Sequence, residues 1–219
     1  MGLGILLIIA TLGGAYFSFR SPSEKELLDG FAEAQRFYAE GAYDQAIDGY
    51  HGVVGVSSRV LDAASIAVEV GDATYPVQEA ALYQVGNANR KLFTDYDRFA
   101  ETAESLVRRE EYAILADSAL VRSARAFRAV IARASSTELR GQAFGRVIEL
   151  YYDAERYPDV IDVSGQLIDT FGDSPLTKVG YYNTGWSYYE MEDYESAVAA
   201  FRELVDRFPS GFEADRSLF

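Results

Sequence analysis

Apolar residues return at helical spacing through most of this chain. From Glu26 to Ala39 the residues Leu27, Leu28, Phe31, Ala34, Phe37 and Tyr38 fall on one face, and Gly41-Ala42 breaks the run before a second arm, Tyr43 to about Val54. This predicts a helical hairpin. Ser21-Pro22-Ser23 before Glu24 and Glu26 reads as a linker feeding the helix start, with acids facing the positive helix end. Ser58 to Val70 carries Val60, Leu61, Ala64 and Ala67 at helical spacing and predicts an extra helix, ended by Gly71 through Pro76. A further hairpin is expected with Val77–Leu92 as its first arm, a turn around Thr94-Asp95 and Tyr96–Arg109 as its second. Glu110 to Ala134 then reads as one long helix or a kinked pair, apolar at Leu120, Ala124, Phe127, Ile131 and Ala134.

The segment from Glu149 to Phe171 recurs 37 residues later, from Trp186 to Phe208, without a gap. Tyr151, Tyr152, Glu155, Tyr157, Leu167, Asp169 and Phe171 return as Tyr188, Tyr189, Glu192, Tyr194, Leu204, Asp206 and Phe208. A period of this size marks stacked helical hairpins, in which each unit buries its apolar face only against its neighbours. The expected fold is all-α, an α-α superhelical solenoid of antiparallel hairpins spanning 26–219, preceded by a linker at 20–25 and an apolar helix at 1–19.

The best-formed unit, Lys178 to Gly211, resembles the tetratricopeptide repeat (TPR). Gly185, Tyr188, Ala197, Phe201 and Pro209 fall on that family's characteristic positions: small residues for close helix approach, rings for the space between hairpins and a proline to stop the second helix. Ala34, Phe37, Tyr43, Ala46 and Tyr50 match in the first unit, and Tyr151, Tyr157 and Leu167 in the unit before the last, where Ile148, Val160 and Ser164 depart from the pattern. The hairpin around Gly86 and Tyr96 is a weaker match with an insertion in its turn. The spacing and the run Tyr-Tyr-x-x-x-Asp-Tyr-x-x-Ala look most like bacterial envelope members, the outer-membrane assembly lipoproteins and the Tol–Pal coordinator. The chain departs from the lipoproteins in having no cysteine.

Charge narrows the partners. The formal net charge of −14 repels phosphate backbones, so nucleic acid is not expected. Gly2 to Phe19 carries no charge and as a helix would extend roughly 27 Å at about 1.5 Å per residue, close to a bilayer core of about 30 Å. A retained anchor is the expectation; a cleaved signal, with Gly13-Gly14-Ala15 as small cleavage-site residues, and a buried helix are the alternatives. Arg20 and Lys25 after the segment favour a cytoplasmic body by the positive-inside rule, whereas an apolar N-terminus leading into a globular domain is the export arrangement. An extracytoplasmic, periplasmic domain is the expectation, with the cytoplasmic face as the alternative.

No catalytic set stands out, and neither a cofactor nor a metal is expected. His51 is the sole histidine, and Gly52-Val53-Val54-Gly55 lacks the Gly-Lys-Ser/Thr of a phosphate loop. Arg122, Arg125, Arg128 and Arg133 form a stripe read as a solvated face paired with Glu101, Glu104 and Glu111. The resemblance implies that the first helix of each hairpin lines a concave binding face. In the best unit this face would carry Tyr182, Asn183, Trp186, Tyr189 and Glu190, and in the unit before it Arg146, Glu149, Tyr152 and Asp153. Aromatic anchors flanked by polar groups suit a peptide or partner helix, while Trp186 and Tyr189 packing against adjoining repeats is the alternative. Asn183 sits where some members clamp a peptide carboxylate, but Gly145 and Glu149 stand where lysine and asparagine would be needed, so that clamp is not expected.

The expected function is a non-enzymatic, membrane-tethered scaffold binding a protein or peptide. A recruiting domain of a longer enzyme is a second reading. A third is a self-assembling protein stacking through Leu218-Phe219, where the chain stops without a polar capping helix.

Overall fold

The computed structural model describes residues 23–60 and 63–209, and within them eight α-helices follow one another as an array of hairpins. They are α1 (Glu24–Ala39), α2 (Tyr43–Ser57), α3 (Val77–Thr102), α4 (Leu106–Arg133), α5 (Thr137–Asp153), α6 (Tyr157–Phe171), α7 (Lys178–Glu190) and α8 (Tyr194–Arg207). Each helix packs on its neighbours in sequence, and α1 also touches α3 as α5 touches α7. This nearest-neighbour packing is what a solenoid requires. The expected helix at 1–19 and the chain end at Leu218-Phe219 lie outside the described residues. Among the described residues no helix is long and apolar enough to cross a membrane.

Three hairpins close through the same turn. In each, the first residue past the turn donates its N–H to the carbonyl five residues back: Ala42 to Phe37 at 2.9 Å, Arg156 to Tyr151 at 2.8 Å and Asp193 to Tyr188 at 2.9 Å. The residue before it has positive φ: Gly41 at 77°, Glu155 at 55° and Glu192 at 61°. Glycine enters that region without strain, whereas the Cβ of a glutamate there crowds the following carbonyl oxygen. Outside each turn an edge-on tyrosine pair packs the ends together: Tyr38–Tyr43 at 5.5 Å, Tyr152–Tyr157 at 5.5 Å and Tyr189–Tyr194 at 5.4 Å between ring centroids. The start of α1 is fixed by a capping box between Ser23 and Glu26.

Two expectations are corrected. Ser58–Val70 is not a helix: α2 runs on to Ser57, a short 3-10 turn occupies Ala63–Ser65, and Ala67–Val70 (β1) pairs antiparallel with Ala73–Pro76 (β2). Ile66, Val68 and Val70 alternate with smaller or charged residues, and Gly71 at φ 63° supplies the tight turn, so period-two patterning prevails over the helical spacing of the alanines. Ile66 and Tyr75 are buried in the core, and Val77 donates its N–H to the Ile66 carbonyl at 2.8 Å, which fastens the strand pair to the start of α3.

The second correction concerns the third hairpin. Thr94-Asp95 is not a turn. α3 continues to Thr102, and the chain reverses through Ala103–Ser105, where the Ser105 hydroxyl caps α4. Tyr96–Arg109 therefore divides between two helices, and the long helix begins at Leu106 rather than Glu110. The added length forms an arm beyond the base of the hairpin, held internally by Tyr112, whose ring stacks on Tyr96 at 6.5 Å and tilts against Phe99 at 5.4 Å.

The hairpin base shows how this insertion is accommodated. A Cβ at Gly86 would lie 2.6 Å from the Phe127 ring, and a Cβ at Gly185 would lie 2.6 Å from the Phe201 ring. Both glycines admit a phenyl ring where any side chain would collide. The ring thus fills the space within its own hairpin, which corrects the reading of Phe201 as a spacer between hairpins. In the first hairpin the close contact is Ala34 against Gly49, and Tyr50 takes the ring position, fully buried beside Phe31.

Candidate interaction face of the first helices

Four side-chain links cross between successive first helices and tie α1, α3, α5 and α7 into one face. Between α1 and α3, Gln84 donates to Gln35 Oε1 at 3.2 Å; that same oxygen accepts from the Tyr50 hydroxyl at 3.0 Å. Between α3 and α5, Arg146 Nε donates to the Tyr83 hydroxyl at 3.3 Å, and Arg90 Nη1 approaches Asp153 at 3.9 Å. Between α5 and α7, the Tyr152 hydroxyl is hydrogen-bonded to Glu190. The face is polar and charged across α1, α3 and α5 and aromatic at α7.

Arg146 is half-buried and also donates to Glu149 at 2.7 Å. Burial opposes its charge, but the bonds it donates to Tyr83 and Glu149 outweigh that cost and drive its pKa further up, so it is a permanent cation. Asp153 is pushed above the usual carboxylate range by burial, with Glu149 adding to the shift and Arg90 opposing it. Burial raises the Tyr38 hydroxyl as well, with Tyr43 adding to the shift and the fields of Arg90 and Arg146 opposing it. Arg90 Nε is buried with no hydrogen-bond acceptor among the described residues. A buried guanidinium donor without an acceptor costs free energy; that nitrogen is closed to solvent, so a partner's carboxylate or carbonyl reaches it only if neighbouring side chains give way, whereas the side chain as a whole is 24% exposed.

Of the residues nominated from the sequence, Arg146, Glu149, Tyr152, Asp153 and Glu190 belong to this linked set. Tyr182, Trp186 and Tyr189 form an aromatic cluster on α7, with Trp186 edge-on to Tyr189 at 5.5 Å and to Phe201 at 5.6 Å. Tyr182 and Trp186 are half-buried against Phe201, whereas Tyr189 remains 49% exposed. The indole therefore serves the packing of its own hairpin, and Tyr189 offers the open ring. Asn183 is turned to its own helix, donating to the Val179 carbonyl at 2.8 Å. His51 is exposed on α2, away from this face.

Sequence reasoning missed Gln35, Tyr38, Tyr83, Gln84, Arg90 and Asn87, whose amide donates to Gln84 Oε1 at 2.7 Å. Counted from Ala34, Gly86, Ile148 and Gly185, Tyr38, Arg90, Tyr152 and Tyr189 are equivalent, as are Gln35, Asn87, Glu149 and Trp186. The register used for the last two units would have found them.

The arginine stripe also differs from expectation. Arg122 donates to Asn89 Oδ1 at 2.8 Å, and the described residues show no ion pair between the stripe and Glu101, Glu104 or Glu111.

Comparisons with known proteins give three results. The tetratricopeptide-repeat family model matches residues 180–211. No curated protein matches the chain. Among solved structures, nearly identical TPR-like repeats from Podosopora anserina align at 13% identity over 89% of this chain and 99% of that one, with a TM-score of 0.36. A singly substituted form of the same repeats aligns at 12% identity over 84% and 95%, with a TM-score of 0.35. The family match thus covers the last hairpin, and the turn that closes that hairpin recurs in the first hairpin and in the one formed by α5 and α6.

Proposed function

We propose that this chain is a non-enzymatic scaffold that holds an extended segment of a partner protein along the face of its first helices. One observation carries the reading: that face holds two guanidinium groups, Arg90, which approaches Asp153 at 3.9 Å and keeps an Nε without an acceptor among the described residues, and Arg146, a fixed cation bonded to Tyr83 and Glu149. An acidic side chain or terminal carboxylate of the partner pairs with these guanidinium groups, and Tyr189 gives an aromatic anchor at the α7 end. The uncharged stretch Gly2 to Phe19 supports tethering to a membrane, and the likeness to envelope repeat proteins supports a place in a bacterial envelope or secretion assembly, with the body extracytoplasmic.

The test is in-cell photo-crosslinking from position 189, in the parent chain and in chains carrying Arg90→Met or Arg146→Met. One or two defined proteins are expected, with capture falling at least tenfold in either arginine variant if these donors bind the partner. Capture that is indifferent to both arginines, or products only within the chain, would reject the face as the binding site.

A further inference from the structure

α4 carries a second surface, separate from the face of the first helices. Its inward side is buried at Ala116, Ala119, Leu120, Ser123, Ala124, Phe127 and Val130. On the opposite side Val107 is 66% exposed, Ile114 67% and Val121 42%, at a spacing of seven residues. That spacing drifts only about 20° around a helix per step, so the three side chains form one straight row. Glu110 and Asp117 interleave with the N-terminal half of the row, and Arg125 and Arg128 continue it toward the C-terminal end. All four are exposed, and none is in an ion pair among the described residues. The stripe thus alternates apolar and acidic residues up to Val121 and is basic beyond it.

We infer that this stripe pairs with the same stripe of a second copy of the chain, antiparallel, about a two-fold axis between Asp117 and Ser118. In that register Ile114 of each copy faces Val121 of the other, and Glu110 of each faces Arg125 of the other. The Ile114–Val121 pair and the Glu110–Arg125 pair each form twice by symmetry, as an isologous contact demands, against one like-charge approach, that of Asp117 to its own copy across the axis. A parallel pairing would set Glu110 and Asp117 against themselves and Arg125 and Arg128 against themselves. The stripe's own charge order therefore selects both the occupant and its direction. This contact runs along the side of the array and does not involve its C-terminal end.

The chain has no cysteine, so two engineered ones report the register directly. Differently tagged full-length copies, one with Ile114→Cys and the other with Val121→Cys, are co-expressed and oxidised mildly. The mixed disulfide dimer is expected as the main product. Copies that both carry Ile114→Cys, or both Val121→Cys, are expected to cross-link at least tenfold less, because the two thiols then lie about 10 Å apart along the axis, beyond disulfide reach. In sedimentation velocity of the full chain, Glu110→Arg and Arg125→Glu should each weaken self-association about tenfold or more, and the double exchange should restore it. A parent chain that stays monomeric, cross-linking that is equal in all combinations, or single reversals without effect would each overturn the pairing. A monomeric parent whose α4 cysteines instead trap a different protein would assign the stripe to that protein and overturn it equally. All four positions are exposed, and an unchanged helical circular dichroism signal confirms that each variant is folded.

Discussion

The third and last hairpins use the same lock at very different lengths. In both, a phenyl ring sits on a glycine at the base: Phe127 on Gly86 and Phe201 on Gly185. The two partners are 41 residues apart in the third hairpin and 16 in the last, and the 25 additional residues all lie on the turn side of the lock. The insertion leaves the base unchanged, so a repeat can grow an arm without disturbing its stacking on neighbours. What differs is the cover. Phe127 is fully buried, with Tyr83 edge-on at 5.4 Å and the Ser123 hydroxyl donating to the Gly86 carbonyl at 2.8 Å. Phe201 is only partly covered, by Tyr182 and Trp186 of its own hairpin.

Truncating the two rings tests that contrast most strongly. Phe127→Ala should cost about 3–5 kcal/mol, since it opens a cavity between helices that cannot collapse, while Phe201→Ala should cost about 1–2 kcal/mol. Urea denaturation followed by circular dichroism measures both, and equal losses would mean that the two locks are equally buried in solution. Overpacking the locks gives the next largest effect. Gly86→Ala should cost about 2–3 kcal/mol because the Phe127 ring has nowhere to move, and Gly185→Ala about 1 kcal/mol because Phe201 can shift toward solvent. An Ala at 185 that destabilises as much as one at 86 would break the distinction.

The arm itself should be a region of low local stability. Its packing rests on Tyr96, Phe99, Ala100 and Tyr112, and both helices expose most of their surface between Phe99 and Leu115. Tyr112→Ala is expected to cost about 1 kcal/mol and to speed amide exchange in 94–114 while leaving that of 80–90 and 120–130 unchanged. Acceleration at the hairpin base as well would show that arm and base unfold as one unit.

How much of this was legible depended on which period each segment followed. The 37-residue repeat made legible the turns of the last two hairpins and the register of Arg146, Glu149, Tyr152 and Glu190. The third hairpin was divided wrongly because Thr94, Asp95 and Asp97 have turn composition. Inside α3 the Thr94 hydroxyl is satisfied by the Arg90 carbonyl at 3.1 Å, and Asp95 by Arg98 at 3.0 Å. Leu92, Tyr96, Phe99 and Ala100 carry the apolar face straight through. Losing the register there also lost Tyr83 and Arg90. The strand pair at 67–76 was hidden by alanines that satisfy a helical period equally well, and only the Val68, Val70 and Gly71 pattern separates the two.

The smallest effect concerns the turns, where the first hairpin has Gly41 and the later two have glutamate at the same positive-φ position. The left-handed conformation costs an ordinary residue about 1–2 kcal/mol, of which glycine returns part through the larger entropy of its unfolded chain. Glu192→Gly should therefore stabilise the protein by about 0.5–1 kcal/mol, and Glu155→Gly by a similar amount. The reverse change, Gly41→Glu, should destabilise by about 1 kcal/mol, and thermal unfolding of the three variants measures them together. The two glutamates lie outside the side-chain links of the first-helix face, so the gain should leave partner capture from position 189 unchanged. If Glu192→Gly instead lowers capture, the strained glutamate contacts the partner, and its backbone cost is retained for binding rather than tolerated by the fold.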